Sequence, residues 1–219
     1  MDIEAIFKFL AELKENNHKE WFEANKDRFK ACRLDFEALV QNVIDELAKE
    51  DNSLDGVKAK DCIFRIYRDV RFSKDKTPYK TSFSACIAEG GRKSSGAIRY
   101  LHLEPGNTIL AGGIYRPESD RLKKIRQEID YNADPLKDIL NDPGFTKYFD
   151  GLNGEQLKRP PKGYDADHPE VELLKFKSYT VFHNMPDKGV LSAKFLEEGM
   201  KVFGAMSAFN AYLNEAVAE

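Results

Sequence analysis

A basic stretch at residues 64–81 holds the side chains whose types and spacing could do chemistry. Its arginines recur at every third position, beginning at Arg65 and continuing with Arg68 and Arg71, and Lys80 follows shortly after. Guanidinium groups bind phosphate and carboxylate oxygens through paired hydrogen bonds, and an ammonium group adds a compact positive charge. We therefore expect Arg68, Arg71 and Lys80 to bind an anion. The alternative is that these cations pair with acidic residues of the N-terminal helices.

Charge is distributed unevenly along the chain. Residues 1–57 carry eight cations and fourteen carboxylates, a balance of −6, and residues 58–99 carry eleven and four, a balance of +7. Residues 100–219 carry fifteen and nineteen, a balance of −4, and the whole chain has a net charge of −3. An acidic protein is repelled by a polyphosphate backbone, so nucleic acid is not the expected partner. A local site for a phosphorylated or acidic small molecule is the partner that this distribution favours.

Two further motifs place cations where an anion could bind. Arg116 follows a Gly-Gly pair and precedes Pro117, which is predicted to open a helix, and the N-terminal amides of a helix attract anions. A glycine-bearing strand covered by a bulky side chain is the alternative for that pair. Because the strands are antiparallel, Arg116 could lie at either edge of the sheet. We predict that the basic motifs meet in one cleft formed by Arg68, Arg71, Lys80, Arg116, Arg159 and Lys162.

A different chemistry is offered by Asp165, Asp167 and His168, which lie close together before Pro169. Asp167 could orient His168 as a general base, and such ligands could also hold a divalent metal. The spacing matches no established metal motif, and either aspartate could instead cap the following helix. We expect no metal and no cofactor. A hydrolase that uses His168 with Asp165 and Asp167 is an alternative to anion binding, and a protein interaction module without a ligand is another.

The order of helical and strand patterns is typical of the α+β class. Apolar residues at helical spacing predict helices at 3–16 and 17–49, the second capped by Asn17 and broken near residues 32–35. Alternating residues then predict strands at 62–69, 82–89, 97–104, 107–115 and 177–184. Short connections make these strands mostly antiparallel. We predict a single α+β domain over residues 1–219, in which about five antiparallel strands are packed by N-terminal and C-terminal helices that bury Trp21 and Phe22.

The location of the protein is also suggested by the sequence. No stretch has the apolar length of a membrane span or the pattern of a signal peptide. Cys32, Cys62 and Cys86 are odd in number and form no CxxC pair, which is typical of reduced, buried thiols. We therefore expect a cytoplasmic protein with no membrane partner, and the sequence leaves its oligomeric state open.

Three segments resemble a known family. They are Asn16–Phe22, the basic stretch, and residues 157–169 with their Arg-Pro-Pro-Lys-Gly-Tyr-Asp sequence. The Gly-Gly-Ile-Tyr sequence at 112–115 and residues 173–178 agree as well, so the similarity covers nearly the whole chain. The family is a widespread group of conserved proteins known as domain of unknown function 2461. This resemblance implies one family domain and implies no activity, substrate or cofactor.

Overall fold

A computed structural model describes residues 1–218. Its helices are α1 (Ile3–Glu15), α2 (Lys19–Ala24), α3 (Lys26–Leu47), α4 (Ala59–Cys62), α5 (Ser119–Tyr131), α6 (Asp134–Asn141), α7 (Pro143–Thr146), α8 (Val171–Leu174), α9 (Asp187–Val190), α10 (Phe195–Ala205) and α11 (Ser207–Val217). Its strands are β1 (Phe83–Ile87), β2 (Ile98–Leu103), β3 (Thr108–Ile114) and β4 (Tyr179–Met185). They form one antiparallel sheet in the order β1-β2-β3-β4. The predicted α+β class is confirmed, and the sheet of the described residues has four strands where about five were predicted.

The described chain divides into two compact units, each assembled from separate segments. The first contains Met1–Lys93, Tyr100–Leu110 and Asn184–Met200. The second contains Ser94–Arg99, Ala111–His183 and the chain from Lys201 onward. In the first unit, α1 packs on α3, and α3 packs on β1; in the second, α11 packs on α5 and α6. A single domain over the full length stays a prediction.

The strand predicted at residues 62–69 is wrong. This segment is extended, but it pairs with the chain beside it only through two isolated bridges, Ile63 with Ala85 and Tyr67 with Tyr79. The alternation that suggested a strand is present from Ile66 onward: Ile66 is buried and Arg68 is partly buried, whereas Tyr67 and Asp69 are exposed. Alternation indicates which side chains face inward. It does not indicate whether a neighbouring segment has the register needed for continuous pairing.

A difference in length explains why the ladder breaks here. The Phe64 N–H donates to the Ser84 carbonyl at 2.9 Å, and the Lys80 N–H donates to the Ile66 carbonyl at 2.8 Å. Two steps from Phe64 to Ile66 therefore oppose four steps from Lys80 to Ser84. The surplus is a bulge at residues 81–82, and an inserted bulge bends a strand and ends regular pairing.

The opposite outer strand, β4, also has an irregular neighbour. The Asn153 N–H donates to the Thr180 carbonyl at 2.7 Å, and the Thr180 hydroxyl donates back to the Asn153 carbonyl at 2.6 Å. The side-chain oxygen of Asn153 accepts from the Phe182 N–H at 3.2 Å. One residue of a loop thus satisfies two backbone groups and one hydroxyl of β4 without forming a strand.

The N-terminal helices differ from the prediction at their ends. The break lies at Asn25, earlier than predicted, where the Asn25 amide donates to the Trp21 carbonyl at 2.9 Å. His18, and not Asn17, caps α2 through its Nδ1 atom. Asn17 instead reaches Tyr79: its Nδ2 donates to the Tyr79 carbonyl at 2.9 Å, and its Oδ1 accepts from the Tyr79 N–H at 3.1 Å. The Asn17 side-chain amide therefore bonds to both backbone groups of Tyr79, as a residue of a neighbouring strand would.

Aromatic side chains fill the core of the first unit. Phe22 is fully buried and stacks on Tyr79 with ring centroids 4.0 Å apart. Phe36 stacks on Phe83 of β1 at 5.3 Å. Trp21 contacts the edge of this cluster and keeps part of its surface in solvent. The expected burial is therefore confirmed for Phe22 and holds only in part for Trp21.

In the second unit, the Gly112-Gly113 pair of β3 lets other side chains approach the sheet closely. A Cβ atom at Gly112 would overlap the sulfur of Met206, and one at Gly113 would overlap the carbonyl oxygen of Tyr179. The ring of Phe209 in α11 lies 3.0 Å from that second position. The alternative considered for this pair, a glycine-bearing strand covered by bulky side chains, describes what is found.

Candidate functional site

A surface pocket of about 340 Å³ lies in the first unit, and the bulge residues 81–82 form part of its lining. Charged and hydroxyl-bearing side chains make up most of its lining: Arg68, Lys80, Asp75, Glu104, Thr77, Thr81 and Ser82. Two of the predicted ligand-binding cations, Arg68 and Lys80, are therefore brought together. Arg68 belongs to the extended segment at residues 62–69, and Lys80 belongs to the segment before β1 that pairs with it.

Lys80 is the cation of this pocket without an opposite charge. It is partly buried, and its ammonium lies 5.2 Å from the centre of the Phe64 ring. No carboxylate among residues 1–218 forms an ion pair with it. Burial lowers the pKa of Lys80, and the nearby positive charge of Arg65 lowers it further. A cation that has lost water without gaining a counter-ion is stabilised by any anion that enters the pocket.

Arg68 has a different role, because its charge is already matched. Its Nη1 atom donates to Asp75 at 2.5 Å, to the Thr77 carbonyl at 3.2 Å and to the Thr77 hydroxyl. Asp75 also accepts from the Thr77 N–H at 2.9 Å. These contacts close the loop between the two pairing segments. Arg68 therefore holds the pocket wall in place and contributes donors rather than net charge.

The Arg68–Asp75 ion pair should affect how the Asp75 carboxyl titrates. Hydrogen bonds from the Thr77 N–H, the Arg68 guanidinium and the Thr77 hydroxyl lower the pKa of Asp75 from 3.8 to about 2. A carboxyl whose folded pKa is depressed stabilises the fold above its unfolded pKa, and this contribution is lost as pH falls through about 2. We expect Arg68→Gln to raise the midpoint of the Asp75 carboxyl in an NMR titration part of the way back to 3.8.

Arg71→Gln is the matched control, since Arg71 pairs with Asp69 and not with Asp75. It should leave the Asp75 midpoint unchanged. An unchanged midpoint in Arg68→Gln as well would show that the guanidinium does not set this pKa.

Glu104 forms another wall of the pocket. Its Oε1 accepts from the Thr81 hydroxyl at 2.5 Å, and its Oε2 accepts from the Asn107 amide at 3.0 Å and from His102 Nε2 at 3.1 Å. Burial raises the pKa of Glu104, but these three hydrogen bonds outweigh it, and the pKa lies below its usual value. Glu104 is therefore a carboxylate that faces the pocket in its ionised form.

Behind Glu104, the polar face of β2 continues the hydrogen-bonded chain. The Tyr100 hydroxyl donates to His102 Nδ1 at 3.1 Å, which leaves the proton on Nε2 for Glu104. Sequence reasoning did not identify Glu104 as a site residue. The signal was available, because Tyr100, His102 and Glu104 alternate with the buried Leu101 and Leu103. Polar residues at every second position of a strand share one face.

Arg71 is not among the residues that line the pocket. It is exposed, and it makes two hydrogen bonds to Asp69, at 2.9 and 2.7 Å. Its guanidinium lies 5.8 Å from the Phe72 ring. The partners of Arg68 and Arg71 are thus Asp75 and Asp69 of the same stretch. The alternative in which these arginines pair with the acidic N-terminal helices is wrong.

Residues 5–212 match the model of one protein family, described as Conserved hypothetical protein (DUF2461). The chain belongs to this family. No curated protein and no solved structure matches it. The description of DUF2461 assigns no function, so a function for this DUF2461 chain has to be argued from its side chains.

Arg116 lies in the second unit of the DUF2461 chain. It has a left-handed backbone, with φ of 47°, and its N–H donates to the Ser178 hydroxyl at 2.9 Å. Its guanidinium is exposed and lies 5.2 Å from the Tyr115 ring. Helix α5 begins at Ser119 with Glu118 as its N-cap, so the helix start predicted at the preceding proline is wrong. The Glu118 side chain makes no capping hydrogen bond there.

Arg159 and Lys162 are exposed in the loop of the second unit. Arg116 belongs to the same unit, whereas Arg68 and Lys80 belong to the first. One cleft formed by all of these cations stays a prediction. The pocket described above is complete within the first unit and does not depend on it.

The third predicted group is organised differently from the expectation. His168 Nε2 lies 2.9 Å from Asp130 Oδ1, and His168 Nδ1 accepts from the Glu170 N–H at 3.1 Å. Both ring nitrogens therefore have partners, and neither partner is the carboxylate of Asp165 or Asp167, which are exposed. A catalytic role for His168 stays a prediction. Nowhere in residues 1–218 do three or more His, Cys, Asp or Glu side chains form a group that could hold a metal ion.

Proposed function

We propose that the pocket of the first unit binds a small anionic ligand, phosphorylated or carboxylated, and that Lys80 supplies the decisive charge. The observation that carries this proposal is the partly buried ammonium of Lys80, which lines the pocket and has no carboxylate partner in the described chain. A desolvated cation without a counter-ion is costly, and an entering anion removes that cost.

The surroundings of Lys80 favour an anion over other ligands. Arg65 is the charged neighbour that shifts its pKa, and it has the same sign. Asp75 pairs with Arg68, and Glu104 accepts hydrogen bonds from Thr81, Asn107 and His102. Neither carboxylate forms an ion pair with the Lys80 ammonium. The hydroxyls of Thr77 and Ser82 line the same space and can donate to phosphate or carboxylate oxygens.

The test is a thermal-shift and calorimetric screen of the full chain against inorganic phosphate, phosphate esters and small carboxylates, with and without divalent cations. Binding at one hundred times Kd should stabilise the fold by about 2.7 kcal/mol. We expect Lys80→Gln to weaken binding by about tenfold or more, since it removes a charge-assisted contact.

Lys74→Gln is the matched control. It removes the same charge from an exposed position of the same basic stretch, outside the pocket lining. Wild type and Lys74→Gln should bind alike. Equal binding by Lys80→Gln and Lys74→Gln would show that Lys80 is not the anion site, and no binding to wild type would end the proposal.

A cytoplasmic location is part of the same proposal. Cys32, Cys62 and Cys86 are all buried and unpaired by disulfides, as is usual where thiols stay reduced. Within residues 1–218, no helix has the length and apolar character needed to cross a bilayer.

A further inference from the structure

We infer that the ligand of this pocket carries a hydroxyl group in addition to its anionic group, and that Glu104 accepts a hydrogen bond from that hydroxyl. The inference rests on the proposed function and narrows it to hydroxylated phosphates and hydroxy acids. The observations that carry it are an open acceptor position on Glu104 and a Ser82 hydroxyl without a partner in the described chain.

Glu104 has one acceptor position left. A carboxylate offers about four, two on each oxygen. Oε2 uses both of its positions, for Asn107 and His102, while Oε1 accepts only from Thr81. The side chain is 20% exposed and lines the pocket, so the remaining position on Oε1 is available to a bound molecule. An ionised carboxylate can only accept, so a ligand group that bonds to this position must be a donor.

Asp75, the other carboxylate of the pocket, is placed differently. It accepts from the Thr77 N–H, from Arg68, and from the Thr77 hydroxyl, whose single proton is shared between Oδ1 and Oδ2. Its side chain is 59% exposed and forms an ion pair with Arg68. Of the two carboxylates in the pocket, Glu104 is the less exposed one and the one without an Arg or Lys partner in the described chain.

Ser82 adds a hydroxyl to the same pocket. The residue is 8% exposed and lines the pocket, and its hydroxyl has no hydrogen-bond partner within residues 1–218. Its oxygen is accessible from the open space of the pocket, so it can bond a molecule that enters. A ligand hydroxyl can both donate to Glu104 and accept from Ser82, and an anionic oxygen can accept from Ser82 as well.

An ammonium group could also donate to Glu104, but the electrostatics disfavour it. Arg68 and Lys80 line the same pocket, and Arg65 adds to the positive charge at Lys80. A further cation would be repelled by these groups, whereas a neutral hydroxyl would not. We therefore assign the Glu104 position to a hydroxyl group.

Calorimetric titration of the full chain with matched probes tests this assignment. Glycerol phosphate, propyl phosphate and aminopropyl phosphate share a phosphate ester and differ in carrying hydroxyls, neither group, or an amine. Glycerate and propionate repeat the hydroxyl comparison with a carboxylate. We expect the hydroxylated member of each pair to bind about ten- to a hundredfold more tightly than its deoxy counterpart, which is the worth of a hydrogen bond to a charged group.

Two variants locate the discrimination. Glu104→Gln, which keeps the shape of the side chain, should reduce the preference for the hydroxylated probe to a fewfold while propyl phosphate still binds. Asp69→Asn makes the same kind of change at a carboxylate of the basic stretch that lies outside the pocket lining, and it should keep the full preference ratio. Retention of the preference in Glu104→Gln would overturn the assignment, and so would its loss in Asp69→Asn.

The outcomes in wild type separate this inference from the proposed function. Equal binding of the hydroxylated and deoxy probes, with Lys80 still required, would refute the hydroxyl contact and leave the anion site standing. Tightest binding of aminopropyl phosphate would replace the hydroxyl with an ammonium and overturn the inference. If no probe of either series binds, the anion site itself is refuted, and the hydroxyl contact with it.

Discussion

Replacing Gly113 with alanine is expected to lower the free energy of unfolding by more than about 4 kcal/mol, or to prevent folding altogether. Gly113 has φ of 106°, which side-chain-bearing residues rarely adopt. Its new Cβ would overlap the carbonyl oxygen of Tyr179 and would lie 3.0 Å from Phe209 and from the Cα of Thr180. The overlapped atom belongs to the backbone of the neighbouring strand, so it cannot turn aside as a side chain would.

Gly163→Ala separates the two causes of this loss. Gly163 also has a positive φ, of 97°, but nothing lies within 4 Å of the Cβ position. It should cost only the conformational strain, about 1 to 2 kcal/mol. Urea unfolding followed by circular dichroism measures both variants. Losses of the same size in the two would mean that the close approach of β4 to Gly113 does not matter.

The second large effect is expected at Phe22. Phe22→Ala should lower the free energy of unfolding by about 3 to 5 kcal/mol, the usual range for removing a buried ring. Phe22 is 1% exposed, stacks on Tyr79 at 4.0 Å, and contacts Phe29 at 5.0 Å. Because Tyr79 lines the pocket, we expect the same substitution to weaken anion binding in the fraction of molecules that stays folded.

Phe72→Ala is the control with identical chemistry. Phe72 is 95% exposed, so removing its ring should change the stability by less than about 0.5 kcal/mol. Urea unfolding monitored by the fluorescence of Trp21 reports both variants. If the two phenylalanines proved equivalent, the stacked cluster behind Tyr79 would not be a core element.

Much of the secondary structure follows from local patterns. The strands predicted at 82–89, 97–104, 107–115 and 177–184 correspond to β1–β4. These elements are decided by the periodicity of their own residues. The segment at 62–69 has the same alternation but no strand, because its pairing depends on a bulge in its partner. A mismatch in length between two segments is not visible in either one alone.

The sequence predicted only those site residues that belong to a segment of unusual composition. Arg68 and Lys80 belong to a conspicuously basic stretch, and both line the pocket. The alternation in β2 places Glu104 on a polar face, but the contacts that bring Glu104 and Asn17 to the pocket join residues far apart in sequence. Asn17 is 62 residues from Tyr79, and its side chain could equally have been a helix cap. Polar residues with two plausible uses are assigned by the tertiary fold and not by their neighbours in sequence.

The irregular segments beside the sheet also determine what its two outer strands present to another molecule. An outer strand with free N–H and C=O groups is a template for a strand of another molecule, and long flat edges promote aggregation. Phe64 occupies a carbonyl of β1 at Ser84, and Asn153 occupies a carbonyl of β4 at Thr180. Neither occupant is a strand that could pass the pairing on. The bulge beside the pocket thus also ends the regular sheet. A strand of another molecule would meet an irregular edge there and could not extend the sheet in continuous register.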